Sequence, residues 1–484
     1  MCDALWSLAE APCKHVVSLA RAEVRGHPDA PERVKEFARI REGDAEKGMQ
    51  RVLKKYGLLA SVPVNYHNVG TEGQPCLMPY IKPSSWVSFL MNSSGGKRLA
   101  RQMVGVPNFS VMHAVLAEFW KRYRALYPGH PLFGMADARE VNLRHCIPYF
   151  THTDEGRSYK HAAIWVMSFH GALGRGTRAW LKSGAHKVNV RANGMGMNYT
   201  GKTWSTQFMF STCTKKVYLM HANAIPDLVK IFSDDAEMLF NNGITSSDGR
   251  RRVHLVPLGT KGDLPALKVL SGAKRSYSNV PRSGSSKKGC KGVCFLCDAG
   301  VEADPGSGGA TIPFEDVNDD AAWIATLHLN PPWDQRPAIV SGFGFTEQEC
   351  MDFFKTDTWH NLHLGILKRF LASSFVCIIE SADYRQFGGP PGSVDKKFEW
   401  MTSIYRAFCQ SQKFSPFVPE ISRDTLGYPA STTEPVGKWT KAMASTQMMV
   451  FLDHFCQSYV VGKTQDALLL SIVSLSRLAP LFIV

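Results

Sequence analysis

Two aspartates sit where strand-like runs give out. Asp154 falls in THTDEGRS, after VNLRHCIPYFTH, and Asp263 falls in GTKGDLPAL, after RRVHLVPLG. In α/β sheets, side chains converge on ligands at strand ends, because the pleat stops and the loops open there. Two carboxylates delivered from neighbouring strand ends can share divalent metal. Paired Mg²⁺ or Mn²⁺ ions then activate a nucleophile and stabilise the leaving oxygen in phosphoryl transfer. Asp-Glu-Gly and Lys-Gly-Asp are also ordinary turn sequences, so each aspartate taken alone reads as a turn residue. Their matching strand placement keeps both readings open.

A second constellation lies in GCKGVCFLC, where Cys294 and Cys297 form a CxxC with Cys290 four residues upstream. One CxxC is half of a tetrahedral zinc site, and Gly289 and Gly292 supply knuckle-like turns. His360 and His363, or Cys290 with one histidine, would complete it. The competing reading is a pair of reduced thiols in a small hydrophobic patch with Phe295 and Leu296. A redox CxxC lacks the preceding strand that such motifs use. The histidines belong to KTDTWHNLHLGILKRF, in which Asp357, His360 and His363 recur every three residues. Asp357 can cap a helix there, with Leu362, Leu364, Ile366 and Leu367 as its apolar stripe. The same spacing can present imidazole to a metal.

Between Asp263 and the cysteines runs a basic segment. Lys268, Lys274, Arg275, Arg282, Lys287, Lys288 and Lys291 occur with no acid among them, and Tyr277 is interleaved. Binding to a phosphate backbone and a solvated loop are both open readings. The whole chain of 484 residues carries a net charge of +14, with a pI near 9.2. A globular chain this basic usually meets an anionic partner, nucleic acid first.

These residues require elements to position them. Residues 1–137 read as helical, with HPDAPERVKEFARIREGDAEKGMQRVLKKYGLLA and SVMHAVLAEFWKRYRALY at helical spacing. From 138 the character changes: VNLRHCIPYFTH, HAAIWVMSFHG and TWSTQFMFSTCT read as strands, rich in β-branched and aromatic residues. A helix over IPDLVKIFSDDAEMLFNNG follows, stopped by Gly243. A fourth strand, RRVHLVPLG, then leads into a helix ending in ALKVL. That order predicts an α/β layer with a mixed sheet. Residues 276–370 read as an insertion with its own staple, and 371–484 as a helical part. The N-terminus shows no apolar h-region, and the cysteines are scattered, which favours a reducing, intracellular setting. The tail ALLLSIVSLSRLAPLFIV is barely long enough to span a membrane and carries Arg477 and Pro480, so it reads as a core helix, with no membrane partner. Its ending on bare LFIV suggests a truncated chain. No GxSxG or HExxH occurs, which disfavours a hydrolase built on those motifs.

The ordered set resembles the DDE/D transposases of the CACTA (En/Spm) type and their transposon-derived relatives, over roughly residues 138–370. The motifs that carry the resemblance are Asp154 after the first strand, Asp263 in GDLPAL after the fourth, Cys294 and Cys297 opening an insertion, and Asp357 with His360 in DTWHNLHLGI. The resemblance implies an α/β fold with an RNase H-like mixed sheet core, a helical N-terminal region and a zinc-stapled insertion. It implies Mg²⁺- or Mn²⁺-dependent cleavage and strand transfer of DNA phosphodiesters through Asp154 and Asp263, and a nuclear location. Oligomer formation is left open. The family needs a third acid, and the chain departs from the pattern here: Asp453 in MVFLDHFC and Glu434 in TTEPVGKW are the candidates offered. The alternative is a non-catalytic, zinc-stabilised nucleic-acid-binding protein of the same descent.

Overall fold

The structure is a computed structural model that describes residues 13–57, 61–157, 163–174, 206–280, 291–302, 311–357, 360–431 and 434–478. The chain divides into two compact units, Met1–Lys355 and Thr356–Val484.

The first unit is built on a mixed α/β sheet of eight strands: β1 (Asn65–Asn68), β2 (Leu77–Tyr80), β3 (Cys146–Arg157), β4 (Ala163–Gly171), β5 (Gln207–Thr214), β6 (Ile244–Thr245), β7 (Arg252–Gly262) and β8 (Phe354–Thr356). Their spatial order is β1-β2-β5-β4-β3-β7-β6, and β8 also pairs with β7. β3, β4 and β5 form an antiparallel meander. β7 instead joins β3 in parallel. A parallel neighbour cannot be reached by a tight turn, so the chain must cross over. The crossover contains the helix Ala224–Asn241, whose Leu228, Val229, Phe232 and Leu239 are buried.

β7 is buried along nearly its whole length, as expected of a central strand covered on both faces. It nonetheless contains Pro257, which cannot donate to a ladder and is tolerated within sheets at bulges. The register changes at that point. Tyr149 lies opposite Pro257, but Phe150 lies opposite Gly259, so Leu258 is an extra residue on β7. Gly259 has φ +153°, and a Cβ there would stand 2.7 Å from the Phe353 carbonyl oxygen. Only glycine fits where β8 approaches this closely.

The helical N-terminal region is not a separate layer. Helix Phe109–Leu126 starts at Asn108, whose side chain accepts from the Val111 N–H. It buries Trp120, and the indole N–H donates to the Cys146 carbonyl at 2.8 Å. His130 ties the next helix to β7: its Nδ1 accepts from Leu132 N–H and its Nε2 faces the Pro257 carbonyl at 3.4 Å. One core runs from Val69 to Phe354, taking residues from these helices, the sheet and the segment after the cysteines. The expected insertion therefore contributes Phe295, Trp333, Phe343 and Phe345 to the main core and is no self-contained module. Helices Cys13–Gly26, Glu32–Ala38 and Ala45–Lys55 close on a small core of their own around Val17, Phe37 and Ile40. β1 and β2 lie in a stretch that reads as helices and loop. Four-residue runs such as NYHN and LMPY carry no periodicity, and only their edge position next to β5 makes them strands.

The second unit packs helices Leu367–Glu380, Val394–Ser411, Ala442–Phe455 and Ala467–Ser476 around Leu371, Phe375, Tyr405 and Phe451. The helical stretch Asn361–Glu380 is long and apolar enough to cross a membrane, but half of its apolar window is buried inside the fold. That burial is what a core helix requires.

Two predictions follow from this packing. A Cβ at Gly171 would lie 1.8 Å from the Met103 carbonyl oxygen, a backbone atom that cannot move aside cheaply. Gly171→Ala should therefore lower stability by about 2–3 kcal/mol, measured by urea denaturation. Burial also pushes His130 and His170 down to about 4. Both stay neutral in the fold while the unfolded chain takes up protons near pH 6.5, so the stability they support is full above that pH. It falls as the pH drops from about 6.5 to 4, by roughly 3 kcal/mol per histidine at the limit. The urea midpoint should follow that window, and His170→Gln should remove a large part of the slope.

Candidate functional site

The parallel ladder of β3 and β7 decides where the two aspartates stand. Its last rung pairs Thr153 with Gly262. Asp154 and Asp263 are the next residue on each strand. The bulge at Leu258 sets this alignment: without the extra residue, Lys261 would face Thr153, and Gly262 would follow at the rung of Asp154. Asp154 does not follow its strand, as the sequence suggests. It lies within β3, still paired with Val166 of β4, and has only left the ladder with β7.

The two carboxylates have different surroundings. Asp154 is half-buried, and among the described residues no hydrogen bond or ion pair holds its side chain. Asp263 caps the helix Leu264–Ser271, its Oδ1 accepting from the Ala266 N–H at 2.8 Å. The turn reading of Asp263 is thus realised in the fold. A cap uses one oxygen, and Oδ2 has no partner among the described residues.

Three further groups border this end of the sheet, and the sequence points only to Tyr277 among them. Lys261, opposite His152 on β3, lays its ammonium over the Phe150 ring at 4.2 Å. His170 of β4 stands 6.0 Å from that ring, centroid to centroid. Tyr277 lies near Asp263; burial and that carboxylate together push its phenol upward. Period-two spacing in FTHTD could have placed Phe150, His152 and Asp154 on one face.

The basic segment divides. Arg275 does not face solvent. Only 6% exposed, it turns into the cysteine loop, where its guanidinium pairs with Asp298 and donates to the Asn330 and Phe295 carbonyls. Asn330 Nδ2 holds the other Asp298 oxygen at 2.6 Å. This arginine is a structural strut, and the phosphate contact expected of it is corrected on that ground. Lys274 pairs with Asp334 at 2.5 Å. Lys268 reaches Ser278 at 3.2 Å, and Lys291 is exposed. Arg282, Lys287, Lys288 and Cys290 lie outside the described residues.

Cys294 and Cys297 stand together as free thiols. The Leu296 N–H donates to the Cys294 sulfur at 3.3 Å. Burial pushes the Cys297 thiol up to about 11, with the neighbouring Cys294 sulfur adding to it. In the second unit, Asp357 acts as the helix start expected of it: Oδ1 accepts from the His360 N–H at 3.1 Å and Oδ2 holds His360 Nδ1 at 2.7 Å. His363 is buried, with Nδ1 beside the Thr446 hydroxyl at 3.2 Å and its carbonyl accepting from Ser445. It belongs to the core of that unit. Asp453 accepts from Ser476 at 3.2 Å and Gln457 at 3.4 Å, and Glu434 is exposed. Among the described residues no group of three or more His, Cys, Asp or Glu side chains is gathered as a metal cage.

No protein-family model matches the chain, and no curated protein matches it.

The Arg275–Asp298 pair generates a test. Removing one partner of a buried pair leaves an uncompensated charge and costs about 3–5 kcal/mol. Arg275→Ala should therefore open the loop Lys291–Val301 locally, seen as lost amide-exchange protection at Gly292, Val293 and Val301. Helix Phe109–Leu126 should keep its protection.

Proposed function

We propose that the chain is a transposon-derived, DDE/D transposase-like protein that binds DNA, with Asp154 and Asp263 as the first two metal-holding acids of an RNase H-like core. The observation that carries this reading is the β3–β7 ladder, which ends with these two carboxylates as the next residue on each parallel strand. An antiparallel meander followed by a helix and a fourth, parallel strand is the order of elements that the RNase H-like reading calls for. Helix Leu264–Ser271 then follows directly from Asp263.

The donors suit a hard divalent ion. Asp154 and the free oxygen of Asp263 are carboxylate oxygens, the ligand type that Mg²⁺ and Mn²⁺ prefer. A bound ion would supply charge stabilisation at a scissile phosphate. Lys261 brings positive charge to the same end, and Lys268 and Lys291 with the basic residues outside the described segments supply charge for the backbone.

A second reading is supported by two contacts. Asp263 devotes one oxygen to its helix cap, and the Leu296 N–H donates to the Cys294 sulfur inside the CxxC. Both suit a non-catalytic, zinc-stabilised nucleic-acid-binding protein. Cys294 and Cys297 would be two of its ligands.

Three measurements separate the readings. Mn²⁺ should bind the full chain, with affinity reduced at least tenfold in Asp154→Asn and Asp263→Asn. Metal analysis should find zinc that is lost in Cys294→Ser/Cys297→Ser. DNA binding should weaken as salt rises, and Lys287→Ala/Lys288→Ala/Lys291→Ala should flatten the slope of log K against log salt by about 0.9 per lost phosphate contact. Two acids fall short of a full two-metal site, so little Mg²⁺- or Mn²⁺-dependent strand cleavage is expected. Unchanged Mn²⁺ binding in both aspartate variants would sink the acid-site reading.

A further inference from the structure

At the opposite end of the same two strands, an open cleft of about 740 Å³ lies where β3 and β7 begin. Arg124, Arg139, Arg144 and Arg252 line it together with His145 and His254, against the two carboxylates Asp137 and Glu140. Asp137 is taken by Arg124 through two hydrogen bonds, one of 2.9 Å and one of 2.6 Å. Arg252 donates to the Asn242 carbonyl just past helix Ala224–Asn241, an acceptor that leaves its charge uncancelled. Arg139 and Arg144 are exposed, and no carboxylate among the described residues pairs with either.

Two features argue that this is more than surface charge. Arg139 has φ +61°, a left-handed conformation that disfavours a long side chain and that glycine would adopt freely. Arginine is nonetheless kept at this position, on the lining of the cleft. Arg144 follows Asn142, whose side chain caps its N–H at 3.0 Å and so fixes the short turn Leu143–His145. The His145 ring in turn packs on His113, ring centres 4.6 Å apart. Arginine is the cation suited to such a place, because its planar fork binds two oxygens of one phosphate at once.

We propose that this cleft is a phosphate-binding site, taking either backbone phosphates of a nucleic acid or a free polyphosphate. Arg139 and Arg144 are the contact residues, and Arg252 and Arg124 form its charged floor. From Cys146 to Asp154 the strand rises about 25 Å, so phosphate held here needs neither acid. A duplex that also reached the acid end would span about seven base-pair steps.

The test uses the full chain with two probes, a fluorescein-labelled 20-base-pair duplex and inorganic tripolyphosphate. The variant is Arg139→Gly/Arg144→Ala, in which glycine relieves the strained backbone and keeps the turn, so thermal stability should not fall. If backbone phosphates are the ligand, duplex affinity should drop roughly tenfold and the salt slope should lessen by about two. If the ligand is a free polyphosphate, tripolyphosphate binding should be lost with duplex binding unchanged. Arg144→Lys should restore charge without the fork and recover only part of the affinity. Equal binding of both probes by the wild type and the folded double variant overturns the proposal.

Discussion

The bulge on β7 is the constraint on which the acid end of the sheet depends. Pro257 has no N–H to give a neighbouring strand, so a regular ladder through it would leave a carbonyl unmatched. Inserting Leu258 resolves the defect locally and advances the rest of β7 by one residue. Every later rung inherits the shift. Gly259 meets β8 without a Cβ in the way, Lys261 comes opposite His152, and Gly262 packs against Thr153 with helix Leu264–Ser271 directly behind it. Asp263 then has three duties: it ends the strand, caps the helix and faces outward next to the rung of Asp154. The cap uses Oδ1 alone, so the second carboxylate oxygen is left to the open end of the sheet.

Strong patterns in the sequence foretold this frame, and context-dependent parts escaped it. Strands β3, β4, β5 and β7 are long runs of aromatic and β-branched residues, and the crossover helix has clear periodicity and a stop at Gly243, whose φ is +64°. Those signals are local. The bulge is not: VHLVPLG shows a proline but no count of which residue is extra, since that depends on the partner strand. β1, β2, β6 and β8 are between two and four residues long and exist only because an edge was there to receive them. Asp357 was legible in outline. Helical spacing puts Asp357 at a helix start, a role met within the second unit, whereas His363, expected as a metal ligand, is buried in that unit's core instead.

Arg275 escaped for a different reason. In a run of lysines, glycines and serines it looks like one more solvated cation, because its partner Asp298 lies 23 residues on and beyond the cysteines. Charge runs read along the chain say nothing about which member will be buried. Burying one guanidinium needs a carboxylate and carbonyls in the right places; here the cysteine loop supplies Asp298 and the Phe295 carbonyl, and Asn330 supplies another. Gly292, with φ +88°, leaves room for the arginine stem: a Cβ there would lie 2.7 Å from Arg275 Cδ. The loop wraps the arginine as much as the arginine fastens the loop.

That strut links two regions that the sequence presents as separate. Ser276 N–H donates to the Gly292 carbonyl at 3.1 Å, and Asn279 reaches the same carbonyl at 2.9 Å. The short turn Tyr277–Asn279 is thereby sewn to the cysteine loop. Tyr277 in that turn is the residue whose phenol feels Asp263. Order in the cysteine loop therefore bears on where the Tyr277 hydroxyl stands relative to Asp263. At the far end of β3 and β7 the polarity reverses, with arginines at the strand starts and carboxylates at their ends. An anion approaching the sheet is drawn first to the arginine end. It reaches the acids favourably only where cations, protein-borne or bound, have offset their charge.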